Sequence, residues 1–281
     1  DHFIGFDAVL RVALGRGKTI RLFGPPGLID NVNGKLRGYT WNLVDGYPLM
    51  LDVHEIHSRH IRHTLFRATD GFSPVEQPAS PLVTAEPNSL FHVVDDPMFT
   101  VRAVSLNHRI PSFAYCLEER FHINVNREKL HAAGLPVGSW LRDVKQYIWQ
   151  GLPDDFTFSA TLYHEHRREE REFILGRIKE EFVTVSRGQK IAYVVDARFD
   201  DENEAKITAL CDHADTVYCE SPYLDHDAAK ARDRYHLTAR QAGSMARKAH
   251  ARDLVVFHFS PRYTGQGDLI EREAMEAFHG A

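Results

Sequence analysis

The stretch Leu254-Val255-Val256-Phe257-His258-Phe259-Ser260-Pro261-Arg262-Tyr263 constrains this chain more than any other. Its apolar run is too short for a helix and stops at a proline. It therefore reads as a buried strand that delivers His258 at its carboxyl end, with Arg262 and Tyr263 on the loop beyond. A strand tip holds a side chain rigidly, and neutral imidazole is the commonest metal ligand in proteins. One histidine does not make a site, and convergent partners are needed. Further apolar runs end in the same way. Residues 99–106 lead to Asn107-His108-Arg109, residues 190–195 to Asp196-Ala197-Arg198, and residues 216–219 to Glu220. His236 stands where His236-Leu237-Thr238-Ala239 opens a helix over 240–250. Imidazole nitrogens and carboxylate oxygens without thiolates suit a catalytic zinc site that keeps a position open for water. On the residues alone, a metal hydrolase and a satisfied polar cluster both stay open.

Other histidines are set aside on periodicity. His54, His57, His60 and His63 recur at every third position of residues 48–68, whose alternating apolar residues predict a hairpin turning near Ser58. Alternation sends such residues to different faces, so the set predicts a solvated surface and not a metal cluster. His164-Glu165-His166 looks like a ligand pair, but the charge run Arg167-Arg168-Glu169-Glu170-Arg171-Glu172 behind it predicts a solvated helix face.

The remaining chain alternates strand and helix. Residues 3–14 carry helical apolar spacing, 19–23 a strand, 28–36 a short helix, 127–133 an amphipathic segment, 140–150 a helix and 268–278 an amphipathic final helix. Gly24-Pro25-Pro26-Gly27 ends the first strand and lacks the Gly-Lys-Ser/Thr ending of a phosphate-binding P-loop. Residues 70–88, rich in Pro, Ser and Glu, predict a loop. Polar residues gathered at the ends of strands that alternate with helices indicate the α/β class.

A chain of 281 residues can bury a large core, and no clean boundary divides it, so 1–281 is read as a single domain. No apolar run approaches the length that spans a membrane. The net charge of −5 gives no bulk attraction to nucleic acid, so a polyanionic substrate needs local basic groups or a metal. Cys116, Cys211 and Cys219 show no CxxC spacing and read as reduced, buried thiols of a cytoplasmic protein. The opening Asp1-His2, with no methionine before it, predicts a chain cut from something longer.

Asp1-His2-Phe3-Ile4-Gly5 resembles the second half of the His-x-His-x-Asp-His signature of the metallo-β-lactamase fold. Within that fold the chain resembles the ribonuclease Z family, endonucleases that trim tRNA 3′ trailers. The matching stretches are Phe23-Gly24-Pro25-Pro26-Gly27, Leu106 to Tyr115 with His108-Arg109-Ile110-Pro111-Ser112-Phe113 at its centre, Gly134-Leu135-Pro136-Val137-Gly138, Val195-Asp196-Ala197-Arg198, His236-Leu237-Thr238-Ala239 and His258-Phe259-Ser260-Pro261-Arg262-Tyr263. They follow the family's order over nearly the whole chain, and the His108 and His258 stretches are the specific ones.

The resemblance implies an αββα sandwich of two mixed sheets flanked by helices, its opening strands missing, with the metals at one edge. Exposed strand edges and apolar surface then predict poor solubility for the chain alone. It implies two zinc ions, with manganese also compatible with such ligands. Asp1, His2 and His258 would bind one ion, Asp196 would bridge, and His108 would bind the other with the two histidines of the missing His-x-His half. Asp1 would accept a proton from the attacking water. His236, oriented by Glu220, would protonate the leaving 3′ oxygen. Arg109 and Arg262 would hold phosphate. The partners implied are precursor tRNA and a second copy of the chain in a homodimer. The family's tRNA-gripping arm, rich in Gly and Pro, falls in 121–186, where this chain is short of both after Gly138. Two alternatives remain on the sequence: a hydrolase of the same fold acting on another ester or phosphodiester, and a non-catalytic remnant of the fold.

Overall fold

The computed structural model describes residues 2–82, 84–85, 90–164 and 167–280. After a 3-10 turn, His2–Gly5, come α1 (Phe6–Ala13), β1 (Thr19–Gly24), α2 (Leu28–Arg37), β2 (Met50–Ile56), β3 (His60–Arg67) and β4 (Pro74–Pro81). The strands form one sheet in the order β1-β2-β3-β4. β1 and β2 are parallel, and the others antiparallel. Leu51 and Val53 are fully buried on the face covered by α1 and α2, in one cluster with Phe6, Leu10, Val32 and Leu36. Each such side chain contributes roughly 1.5–3 kcal/mol.

The hairpin turns where alternation places it, at residues 57–59. The expected loop over 70–88 is corrected, because residues 74–81 pair with β3. Pro74, Pro78 and Pro81 mask it as a strand, yet β4 is the sheet's edge, and its register slips opposite Ile61–His63. An edge or a bulge is where a strand tolerates a residue without an N–H.

The second sheet runs β15-β14-β13-β8-β7-β6-β5. Its antiparallel half is β5 (Thr84–Ala85), β6 (Leu90–Asp95), β7 (Phe99–His108) and β8 (Ile110–Glu119). Residues 121–187 then leave it as a lobe: β9 (Phe121–Val125), α3 (Arg127–Ala132), α4 (Trp140–Trp149), β10 (Thr157–His164), β11 (Arg167–Ile174), α5 (Leu175–Phe182) and β12 (Val183–Arg187). β9 and β12 pair at its base, and Leu130, Trp140, Leu162 and Phe173 lie in its own core. The helix expected behind His164 is corrected to the hairpin β10–β11. Phe158, Ala160, Leu162 and Phe173 line the hairpin's buried side, and the Arg/Glu run carries no period that separates strand from helix. His166 lies outside the described residues.

The chain returns through β13 (Lys190–Val194), α6 (Asp201–Cys211), β14 (Thr216–Glu220), α7 (Ala228–Arg234), α8 (Ala239–Lys248), β15 (Leu254–Phe257) and α9 (Gly267–His279). β13, β14 and β15 are mutually parallel, so their carboxyl ends open at one edge of the sheet. α6, α8 and α9 cover its outer face. A Cβ on Gly243 of α8 would meet the Ala274 carbonyl of α9 at 2.1 Å, so only glycine permits that contact.

Between the sheets, Ile56 and Ile61 pack on Phe91, Ala103 and Phe113, and Tyr115 Oη donates to the Phe23 carbonyl at 2.9 Å. The layering is therefore helices, mixed sheet, mixed sheet, helices, as the resemblance implies. The four-stranded sheet leaves part of its partner uncovered: Leu117, Ile191, Tyr193, Tyr218 and Val255 are exposed. No helix among the described residues is long and apolar enough to cross a membrane.

Candidate active site

The carboxyl ends of the parallel strands carry the side chains that the apolar runs point to. Asp196 lies two residues beyond β13, Glu220 is the last residue of β14, and His258 follows β15 directly. His108 ends β7, and His236 sits between α7 and α8. One donor atom from each of Asp196, Glu220, His236 and His258 lies within 4.8 Å of the others, and His108 Nε2 is 4.0 Å from Asp196 Oδ2. Of the seven residues expected to act as ligand, acid or base, five are thus brought together. Asp1 lies outside the described residues, and so does the side chain of His2.

Glu220 organises the cluster. It is fully buried, and each carboxylate oxygen has two partners. Oε1 accepts the N–H of Ala197 at 3.0 Å and of Leu237 at 3.3 Å, and Oε2 accepts Nδ1–H of His236 at 2.9 Å and of His258 at 3.1 Å. Burial pushes this carboxyl up, but the hydrogen bonds from His236 and His258 outweigh it and hold the group at about 2, ionised at neutral pH. The bond to Glu220 raises His258 against the opposing effect of burial. Sequence reasoning pairs Glu220 with His236; the structure adds His258. The consequence is a fixed tautomer. With Nδ1 engaged, Nε2 of each ring carries the lone pair when the ring is neutral. His108 reaches the same state, since its Nδ1 donates to the Tyr235 carbonyl at 2.7 Å.

The donor set fits a metal ion. His108 Nε2 and Asp196 Oδ2 are too far apart to hydrogen-bond, and two atoms each roughly 2.0–2.2 Å from one tetrahedral ion lie about 3.4 Å apart, so a closing of about 0.6 Å would let them share one. The rings are not stacked: His108 and His236 cross at 56° and His236 and His258 at 77°. Glu220 is a poor ligand despite its place in the cluster, because both its oxygens are already committed.

Two other groupings fail on the same geometry. His54 and His63 face each other across the β2–β3 register and both approach Asp52, so the expectation that they fall on different faces is corrected. The hairpin turn brings together residues that alternation along one strand separates. Their rings, however, stack at 4.4 Å and 11°. Nearly parallel ring planes do not share an in-plane ion, so this is a hydrogen-bonded cluster. Asp212, His213 and His250 are exposed, with the two rings stacked at 19°.

Backbone strain concentrates at the site. Arg109, Asp196, Tyr235 and His258 all have φ between 52° and 64°, although none is glycine. Each such residue costs on the order of 1–3 kcal/mol and persists because its surroundings fix it. Asn203, almost fully buried in α6, supplies part of that fixing. Its Oδ1 accepts from Asn107 N at 3.0 Å, and its Nδ2 donates to the carbonyls of Asn107 at 3.1 Å and Arg198 at 2.7 Å. It thereby ties the His108 turn to the Asp196 loop. Nothing in the sequence marks this residue.

A cavity of about 540 Å³ opens beside the cluster, lined by His108 and His236 and by Arg109, Lys230, Arg234 and Arg262. Both arginines expected to hold phosphate are there. Arg109 donates to the Asp233 carbonyl at 2.8 Å and lies over the Tyr235 ring at 4.7 Å. Arg262 is paired with Asp227 at 2.6 Å, as is Tyr263 Oη. Sequence reasoning missed Lys230 and Arg234.

No family model matches the chain. Among curated proteins, it is 28% identical over 265 residues to "Ribonuclease Z" of Deinococcus radiodurans, covering 94% of this chain and 73% of that protein. It is 28% identical over 285 residues to "Zinc phosphodiesterase ELAC protein 1" of Mus musculus, covering 98% of this chain and 73% of that one. The chain is similar in sequence to ribonuclease Z. The human tRNase Z short form, a solved structure, aligns with a TM-score of 0.46 at 19% identity over 87% of this chain and 62% of that chain. The sequence similarity to these two curated proteins spans 94% and 98% of the chain, and so includes the strand tips that carry His108, Asp196, Glu220 and His258 and the lobe at 121–187.

Proposed function

We propose that this chain is the greater part of a zinc-dependent phosphodiesterase of the ribonuclease Z kind, which removes 3′ trailers from precursor tRNA by endonucleolytic hydrolysis. The observation that supports it most is the Glu220 carboxylate, which engages Nδ1 of two histidines beside a cationic cavity and so leaves metal binding, or proton donation by the charged ring, to Nε2. Asp196, His108 and His258 are the residues that would hold zinc, with Asp1 and His2 completing the set as the resemblance implies; two ions are proposed. Zinc there would neutralise phosphate charge and lower the pKa of water.

The chain's own residues account for the rest. Asp1 takes the proton of the attacking water. His236, with Nδ1–H given to Glu220, presents Nε2 to the leaving 3′ oxygen and delivers a proton there, while the buried carboxylate stabilises the charged imidazole. The guanidinium groups of Arg109 and Arg262 orient the phosphate, since their planar forks match its oxygens. A homodimer in the cytoplasm is the assembly and location proposed with this activity.

The test uses the full protein with zinc, a precursor tRNA and bis(p-nitrophenyl) phosphate. A single cut at the trailer junction that leaves a 3′ hydroxyl on the tRNA is the expected result. Hydrolysis of the small diester with the precursor left intact would replace tRNA by another phosphodiester. Hydrolysis of neither, with no zinc bound, would make the chain a non-catalytic form of the fold.

A further inference from the structure

The cavity beside the site has a wall that the proposed chemistry leaves unused. Lys230 and Arg234 stand four residues apart on α7, hence on one face of the helix, separated by about 6 Å of rise. That distance is of the order of the spacing between neighbouring phosphates along a strand. Lys230 is only 3.5 Å from Asp227, whose other oxygen already binds Arg262 and Tyr263. The side chain of Arg234 makes no hydrogen bond or ion pair among the described residues. In a chain of net charge −5, this wall gathers Arg109, Lys230, Arg234 and Arg262. A guanidinium with no partner among the described residues, aligned with a lysine beside the proposed phosphodiester site, has an evident use. Tyr235, next in the chain, fixes their place relative to the chemistry. It adopts φ 64°, its carbonyl holds His108 Nδ1, and its ring carries Arg109.

The direction of the substrate follows from His236. The oxygen that it protonates belongs to the nucleotide on the 5′ side of the cut. That nucleoside therefore lies against His236, and the wall that runs back from His236 is Tyr235, Arg234 and Lys230. We propose that Lys230 and Arg234 form a subsite for the phosphate backbone of the strand 5′ of the scissile bond. This rests on the phosphodiesterase reading above and adds to it which strand is gripped and by what.

The experiment measures kcat and KM of the zinc-loaded full protein on precursor RNA across a salt series, with bis(p-nitrophenyl) phosphate alongside. The double variant Lys230→Ala/Arg234→Ala is expected to raise KM for RNA about tenfold with kcat changed less than about twofold, and to flatten the slope of log(kcat/KM) against log[salt] by about 1.4, or ~0.7 for each single-strand phosphate contact. Its effect on the small diester is expected to be several-fold smaller. Lys230→Arg with Arg234→Lys keeps both charges and should restore most of the RNA activity. An RNA with a neutral methylphosphonate one linkage 5′ of the cut should slow the wild type and leave the double variant little further affected. Equal losses on both substrates, unchanged KM and salt slope, or the same sensitivity to a methylphosphonate on the 3′ side would each overturn the subsite. A wild type that cuts neither substrate removes the underlying reading and the subsite with it. A wild type that cuts both, with unaltered variants, removes the subsite alone.

Discussion

Glu220→Gln tests the organisation of the site in one substitution. Glutamine keeps the shape of glutamate and an oxygen where Oε1 accepts from Ala197 and Leu237. It puts an NH2 where Oε2 accepts from the Nδ1–H of both His236 and His258. Donor then faces donor. Each histidine must either give up the bond or move its proton to Nε2; a neutral ring protonated there has no lone pair for a metal, and a ring that gives up the bond loses the carboxylate that orients it. Two charge-assisted bonds at ~1.5–3 kcal/mol each are lost, and re-tautomerising one ring to accept from the new amide recovers part of this. A net loss of about 3–5 kcal/mol is expected, as when one partner of a buried charged pair is removed. Zinc affinity should fall about 10–100-fold, the usual effect of removing a group that orients ligands. Urea unfolding of the demetallated protein reads the first quantity, and zinc titration against a competing chelator reads the second. A variant within about 0.5 kcal/mol of wild type, with an overlapping chelator curve, would refute the claim that Glu220 positions these rings.

Asn203→Ala deletes three hydrogen bonds between the Asn107 and Arg198 segments, at about 1 kcal/mol each, and should lower the melting temperature by roughly 5–10 °C while loosening zinc. Burial raises the thiols of Cys116, Cys211 and Cys219, so each stays protonated in mildly alkaline buffer. Iodoacetamide should leave all three unmodified in the folded protein and label them in urea; rapid native labelling would contradict their burial. Exposed Ile191, Tyr193 and Tyr218 predict self-association of the isolated chain. Ile191→Thr with Tyr218→Thr should shift its sedimentation toward monomer, and an unchanged distribution would remove that face as the cause.

The site was legible because each of its strands is a short apolar run with one chemically capable residue at the tip. Burial forces the run, and the parallel arrangement brings the tips to one edge. Pairing of Glu220 with His258 was not legible, since it depends on the order in which β14 and β15 lie side by side. His54 and His63 fail for a related reason. Alternation gives the face of each residue within its strand, but their meeting depends on the register set by the turn at 57–59. The hairpin β10–β11 was hidden because an unbroken Arg/Glu run fits either period, with cross-strand pairs such as Thr161 with Glu170 visible only once paired. β4 was hidden by prolines that an edge strand accepts. Asn203 carries no signal at all: a polar residue in the first turn of an acidic helix looks solvated until α6 is packed on β7.

The most direct test of the account compares His258→Ala with His236→Ala in the zinc-loaded protein, measuring zinc per chain and cleavage of precursor tRNA on the same samples. The account places His258 among the metal-holding residues and His236 at the leaving oxygen. It predicts that His258→Ala loses zinc and cleavage together, and that His236→Ala keeps its zinc while cleavage falls by at least about 10²-fold, the scale of a lost general acid. Loss of zinc from His236→Ala, or full cleavage by either variant, would contradict it.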